Sequence, residues 1–305
     1  MNKDFSASAL RYRPQKFQEV IGQDPIVKTL LNAIKNDSLA QALLFCGPRG
    51  VGKTTCARIL AKEINKVDSN YDYNIFELDA ANNAGVEDIR TLIDQFRIPP
   101  QIGKYKVYII DEVHMLSKQA FNAFLKSLEE PPNHVIFILA TTEKNKIIPT
   151  ILSRCQIFEF KKIDQIQIEQ SLRKICKENK IDFEDEALNL IASKSDGAMR
   201  DALVMFDRLV TFTNGKLSLN EVSINLNTLD LDTYFNFSDL ILSSSIPDIL
   251  SKYNEIVNKG FDGLSFISGL SRHYREILIS KFSDSQKISI YSDSIKLKYE
   301  EFGKK

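Results

Sequence analysis

Apolar positions along the chain change their period several times, and each change marks an element. After Asp24-Pro25, the residues Ile26, Leu30, Leu31 and Ile34 recur at helical spacing. This predicts a helix to about Lys35, with Asp24 as its N-cap and Pro25 in its first position. Ala42-Leu-Leu-Phe-Cys46 is a short continuous apolar run, as expected of a strand buried on both faces. A glycine-rich turn and a helix over about 53–65 follow. The alternation then repeats. Strand patterns at 74–78, 106–110, 135–139 and 156–160 are separated by helical patterns at 86–96 and 117–130. Pro99-Pro100 and Pro131-Pro132 stop the two helices, and Phe121, Phe124, Leu125 and Leu128 share one face of the second. Strands alternating with helices predict an α/β fold with a parallel sheet covered by helices on both faces.

Beyond Ile163 the strand patterns stop. Residues 164–180, 185–196 and 198–213 carry helical periodicity, broken at Asn214-Gly215. Residues 231–283 read as further helices interrupted at Gly260 and Gly263, and there is no internal repeat. The expected domains are an α/β nucleotide-binding part over 1–163, a small helical part over 164–228 and a second helical part over 229–305. Hydrophobic residues at 43% and charged residues at 26% exclude a wholly disordered chain. No run of about 18 apolar residues occurs, so no membrane contact is expected. The first residues lack an apolar signal segment, which predicts a cytoplasmic protein. Lys+Arg and Asp+Glu are both 40, so any contact with nucleic acid must come from a local basic patch. Cys46, Cys56, Cys155 and Cys176 are too dispersed for a C-x-x-C pair or a disulfide scaffold.

Gly47-Pro48-Arg49-Gly50-Val51-Gly52-Lys53-Thr54 fits G-x-x-x-x-G-K-S/T between a predicted strand and a predicted helix. The glycines permit a turn whose backbone N–H groups face phosphate oxygens, and the helix adds its positive N-terminus. Lys53 is expected beside the β- and γ-phosphates, and Thr54 offers a hydroxyl to Mg²⁺. With Thr55, the loop is the expected phosphate site. Asp111-Glu112 ends a predicted strand at the ligand-facing edge of the sheet. Asp111 is expected to hold Mg²⁺, directly or through water, and Glu112 to orient or deprotonate an attacking water. His114, His134 and His273 lack a second ligand at metal spacing and read as structural or surface residues.

Together with this loop, Asp111-Glu-Val-His114, Ala140-Thr-Thr142, Ile151-Leu-Ser-Arg-Cys155 and Gly197-Ala-Met-Arg-Asp-Ala-Leu203 resemble the gamma/tau family of DNA polymerase III clamp loaders, a branch of the AAA+ ATPases. The run from Phe121 to Pro132 favours this family within AAA+, and the resemblance is strong over about 7–225. It implies an AAA+ domain, a helical lid and a helical collar. It implies that Thr142 is the sensor 1 residue, Arg154 an arginine finger reaching a neighbouring subunit's ATP, and Arg200 the sensor 2 residue of the lid. It places Ala9, Arg13, Pro14, Val20 and Ile21 in the adenine pocket. The implied function is an ATP- and Mg²⁺-dependent motor that loads a sliding clamp onto primed DNA, without polymerase chemistry of its own. The implied partners are the clamp, delta and delta-prime type subunits and further copies of the chain, in the cytoplasm at the nucleoid. Two alternatives stand beside it. One is another AAA+ motor of the branch-migration helicase type. The other is a non-hydrolysing structural subunit, against which Lys53 and Glu112 argue. The chain departs from the family in two places. The family often carries a four-cysteine zinc module after the phosphate-loop helix, but residues 61–73 hold no cysteine, so no zinc site is expected. The family's collar is longer, so residues 229–305 supply only part of one; either the collar is reduced or the chain is a fragment.

Overall fold

The computed structural model describes residues 7–66, 74–82, 86–100, 103–226, 229, 231–258, 260–281 and 293–304. Part of the cysteine-free stretch, 67–73, lies outside the described residues, as do 227–228 and 282–283 at the ends of predicted segments. The chain divides into two compact units, Met1–Lys216 and Leu217–Lys305.

The first unit begins with α1 (Ser8–Arg11) and α2 (Asp24–Lys35), then alternates β1 (Ala42–Cys46), α3 (Lys53–Asn65), β2 (Ile75–Asp79), α4 (Val86–Phe96), β3 (Lys106–Asp111), α5 (Lys118–Glu129), β4 (Val135–Thr141), α6 (Pro149–Leu152) and β5 (Gln156–Glu159). The five strands are parallel in the order β2-β3-β4-β1-β5. Chain order and spatial order therefore diverge at β1, which lies between β4 and β5. This divergence sets the carboxyl ends of β1, β4 and β3 side by side, where open α/β sheets bind ligands. Cys46 at the end of β1 pairs in register with Thr141 at the end of β4.

Alternate residues of each strand face opposite layers. Val135, Phe137 and Leu139 join Tyr108, Phe96, Phe121 and Phe124 on one side of the sheet. Ile136, Ile138 and Ala140 join Leu43, Phe45, Leu30, Ile59 and Leu60 on the other. The Phe137 ring meets Phe96 and Phe124 edge-on at centroid distances of 4.8 and 5.0 Å, arrangements that add to plain area burial. Ser117 caps α5 by accepting the Ala120 N–H.

The unit continues with α7 (Gln165–Asn179), β6 (Asp182–Phe183), α8 (Asp185–Lys194) and α9 (Met199–Phe212). Two expectations are corrected here. Asp24 is the first residue of α2, not its cap; the cap is Gln23, whose side-chain amide pairs with the Lys161 backbone. Strand structure also does not end at Ile163, since β6 and β7 (Lys216–Leu217) follow. Two residues are too short to show a period. Asn214 and Gly215 adopt φ of 50° and 86°, and the Gly215 carbonyl accepts the Asp182 N–H.

The second unit is helical: α10 (Leu219–Asn225), α11 (Leu231–Leu242), α12 (Ile246–Asn258), α13 (Gly263–Ser280) and α14 (Asp293–Gly303). Tyr234, Phe237, Ile256 and Phe266 form its core. His273 is buried with Nδ1 3.0 Å from the Tyr299 hydroxyl, and desolvation pushes its pKa down to about 4. Gly260, with φ of 88°, separates α12 from α13 as expected. Gly263 instead begins α13, because the Asp262 side chain caps the helix by accepting the Ser265 N–H. Among the described residues no helix is long and apolar enough to cross a membrane.

Candidate functional site

The loop between β1 and α3 turns through glycines with positive φ. At Gly47, φ is 147° and an added Cβ would lie 2.4 Å from the Phe160 carbonyl oxygen, so backbone contact excludes a side chain. At Gly52, φ is 102° and an added Cβ would meet nothing within 4 Å; there the conformation alone calls for glycine. Lys53 opens α3. Its ammonium donates to the Gly47 and Pro48 carbonyls, each at 2.8 Å. Burial lowers its pKa, while the neighbouring Glu112 and Asp111 carboxylates oppose that shift.

Side-chain contacts join the start of α3 to the end of β3, and the end of β3 to the end of β4. The Thr54 hydroxyl donates to Asp111 Oδ2 at 2.6 Å across 57 positions of sequence. The other Asp111 oxygen accepts the Glu112 N–H at 2.9 Å. Glu112 takes a left-handed φ of 47°, which costs a non-glycine residue about 1–2 kcal/mol. It lays its carboxylate against the end of β4, where Oε2 accepts the Thr142 N–H at 3.1 Å and the Thr142 hydroxyl at 2.9 Å. Beside these contacts opens a cleft of about 1350 Å³ whose walls include the loop, Asp111, Glu112 and Arg200.

The surroundings of this cleft match known sequences. A family model described as DNA polymerase III, delta subunit, matches residues 22–164. A second, described as the ATPase lid domain of the DNA polymerase III clamp loader subunit, matches 167–215. DNA polymerase III subunit gamma of Buchnera aphidicola subsp. Baizongia pistaciae is 35% identical over 298 residues, covering 92% of this chain and 80% of that protein. This chain belongs to the DNA polymerase III gamma/tau family. Subunit tau of Bacillus subtilis is 39% identical over 88% of this chain and 51% of its own length. Subunit tau of Escherichia coli is 38% identical over 85% of this chain and 43% of its own. The chain thus spans about half the length of these tau relatives. The RuvB Holliday junction branch migration motor of Thermotoga maritima superposes with a TM-score of 0.57, covering 75% of this chain and 79% of that one. At 22% identity that likeness shows the AAA+ fold alone.

Against this gamma/tau background the residues marked by the sequence separate into three groups. Arg49, Gly50, Val51, Gly52, Lys53, Thr54 and Thr55 line the cleft with Asp111 and Glu112, and Ala9, Arg13, Pro14, Val20, Ile21 and Arg200 line it as well. Arg200 is placed by the start of α9, whose backbone reaches the phosphate loop: the Arg200 N–H donates to the Gly50 carbonyl at 3.4 Å. The N-terminal segment is tied to the same helix, since Asp207 accepts the Ser8 N–H at 2.7 Å. A second group acts behind the wall. Gly47 and Pro48 hold Lys53, and Thr142 holds Glu112. Arg154 stands apart. It follows α6, and its guanidinium donates to the Thr150 carbonyl at 2.8 Å and to Glu129 Oε1 at 2.7 Å.

Two residues near the site were not marked as functional. Asp79 lines the cleft and pairs in register with Asp111. Its Oδ1 accepts the Ala81 N–H. An acid at the carboxyl end of a strand was the available signal, but the predicted strand stopped one residue short. His114 is enclosed, with Nδ1 3.0 Å from the Thr141 hydroxyl oxygen. Among the described residues no group of three or more His, Cys, Asp or Glu side chains could hold a metal ion. The Thr54 hydroxyl and Asp111 carboxylate nevertheless form a hard-oxygen pair. Such a pair suits Mg²⁺, which takes few protein ligands and fills its shell with phosphate oxygens and water.

Proposed function

We propose that this chain is an ATP-binding and ATP-hydrolysing motor subunit of a clamp loader, which places a sliding clamp on primed DNA during replication. The observation that carries this reading is the convergence of Lys53, the Thr54–Asp111 pair and the Glu112–Thr142 pair on one cleft at the sheet edge. The loop N–H groups and the N-terminus of α3 would bind the β- and γ-phosphates, and Lys53 would supply the counter-charge. Thr54 and Asp111 would hold Mg²⁺, which when bound neutralises charge on the phosphates. Ala9, Arg13, Pro14, Val20 and Ile21 would enclose the base. In hydrolysis, water attacks the γ-phosphorus as the bond to the β–γ bridging oxygen breaks, and Glu112 accepts the proton of that water. Thr142 keeps the Glu112 carboxylate in place. Arg200 acts from the lid of the same chain, and Arg154 acts on the ATP of a neighbouring subunit.

The domain reading that goes with this function is an ATPase domain over 1–163, a lid over 164–228 and a helical collar over 229–305 that joins subunits. The partners are the clamp, delta and delta-prime type subunits, further copies of the chain and primed DNA, at the nucleoid in the cytoplasm. The chain carries no polymerase chemistry of its own. ATP hydrolysis measured with and without clamp, partner subunits and primed DNA tests the proposal. Stimulation that requires both clamp and primed DNA is the expected result. Stimulation by branched DNA without a clamp would replace it with a branch-migration motor, and ATP binding without turnover under any condition would leave a structural subunit.

A further inference from the structure

His114 has no part in the steps above, yet its side chain is only 6% exposed and lies against Glu112. The chain leaves Glu112 in a left-handed conformation and enters a single 3-10 turn, Val113–Met115, that turns the imidazole back toward the end of β4. There Nδ1 lies 3.0 Å from Thr141 Oγ1 and 3.3 Å from Glu112 Oε2, and Nε2 lies 3.4 Å from Glu143 Oε1. The tautomer with its hydrogen on Nδ1 lets the ring donate toward both of these oxygens, Thr141 Oγ1 and Glu112 Oε2. Thr141 Oγ1 is itself fixed, because it accepts the Glu143 N–H at 3.0 Å.

Thr142 N–H, the Thr142 hydroxyl and His114 Nδ1 all meet the same Glu112 oxygen, Oε2. A carboxylate gripped on one oxygen from two directions cannot rotate about its last bond without breaking these contacts. Its other oxygen, Oε1, then keeps a constant direction. Glu112 is 29% exposed by side chain and lines the cleft, so that direction is usable by a bound reactant.

We propose that His114 is a positioning residue for hydrolysis, holding the Glu112 carboxylate against the end of β4 so that Oε1 is presented to the attacking water. The role rests on Glu112 being the general base of the proposed ATPase. It also links the carboxylate to Thr141 and Glu143, so a shift of residues 141–143 would carry through His114 to Glu112.

Three full-chain variants test it: His114→Leu, His114→Asn and His114→Gln. An asparagine amide reaches the place of Nδ1, and a glutamine amide reaches the place of Nε2. Single-turnover hydrolysis gives the rate, a fluorescent ATP analogue gives Kd, and thermal unfolding reports the fold. His114→Leu should hydrolyse about tenfold more slowly, as expected for losing one close polar contact to a charged group. Kd and Tm should stay at parental values. His114→Asn should recover most of the rate and His114→Gln should not, a contrast that general damage to the fold cannot produce. Parental turnover by His114→Leu overturns the role of His114 alone, as do equal rates for the asparagine and glutamine variants. All rates are read in the assembled loader with clamp and primed DNA; a parent protein that binds ATP there without turnover overturns the reading of Glu112 as well, and that outcome is visible before any variant is made.

Discussion

Lys53→Met separates binding from folding. In the structure the Lys53 ammonium is withdrawn from water and donates two hydrogen bonds of 2.8 Å to the Gly47 and Pro48 carbonyls. Hydrogen bonds from a charged group contribute about 1.5–3 kcal/mol each. Desolvating the ammonium costs several kcal/mol, and that cost is what lowers the pKa. The two effects nearly cancel, so methionine of similar volume should change nucleotide-free stability by no more than about 2 kcal/mol. The pH dependence carries a defined sign. A lysine whose folded pKa is lowered binds fewer protons in the folded state than in the unfolded state between those two pKa values. The Lys53 contribution to stability should therefore rise with pH as it approaches the ordinary lysine value of 10.5 from below. Lys106 is shifted the same way by burial, and the thiols of Cys56, Cys155 and Cys176 are pushed up by desolvation and act in the opposite sense, so the Lys53 share is the difference between parent and variant curves.

ATP adds the decisive contrast. At Mg²⁺-ATP about 100-fold above Kd, the parent gains about 2.7 kcal/mol, or roughly 5–11 °C in Tm at about 2–4 °C per kcal/mol. Removal of the charge that faces the β- and γ-phosphates should shrink this gain below about 1 °C at the same ATP concentration. Thermal unfolding of the unit that carries Lys53, with and without Mg²⁺-ATP over pH 8 to 11, reads both effects. A variant that keeps the full ATP-induced shift would refute the placement of Lys53 on phosphate. A nucleotide-free Tm lower by more than about 10 °C would show that the lysine is chiefly structural.

Glu112→Gln should keep ATP binding, because the phosphate and metal groups remain, while turnover falls about 10²–10⁴-fold; parental turnover removes Glu112 as the base. Arg154→Ala should leave ATP binding by the isolated chain unchanged and reduce hydrolysis in the assembled loader by about 10³–10⁵. Mixing it with Lys53→Ala should restore part of the activity, since an intact arginine can then face an intact phosphate loop; an assembled but inactive mixture places Arg154 in its own chain's site. Phe137→Ala should destabilise the first unit by about 3–5 kcal/mol, measured by denaturant titration, because the ring is fully buried between Phe96 and Phe124. A loss below about 1 kcal/mol would mean that the two neighbouring rings collapse into the space.

The local features of this protein were readable from sequence because their causes are local. β1 over Ala42–Cys46, α3 over Lys53–Asn65 and α4 over Val86–Phe96 stand where continuous apolar runs, helical periods and Gly or Pro breaks put them. The phosphate loop was legible because its donors come from consecutive residues, so its chemistry travels with the motif. Asp111 and Glu112 could be set at the end of a strand, but their partners could not be read, because those partners come from α3 and from the end of another strand. Only the order β2-β3-β4-β1-β5 brings Thr54 to Asp111 and Thr142 to Glu112. The same holds for Gln23, which displaces Asp24 as the cap of α2 while its amide binds the backbone at Lys161. It holds for His114, which no spacing rule distinguishes from a surface histidine until β4 packs beside it. Backbone periodicity is imposed by each segment's own amphipathicity, whereas side-chain partners are chosen by which strand ends the sheet sets next to each other.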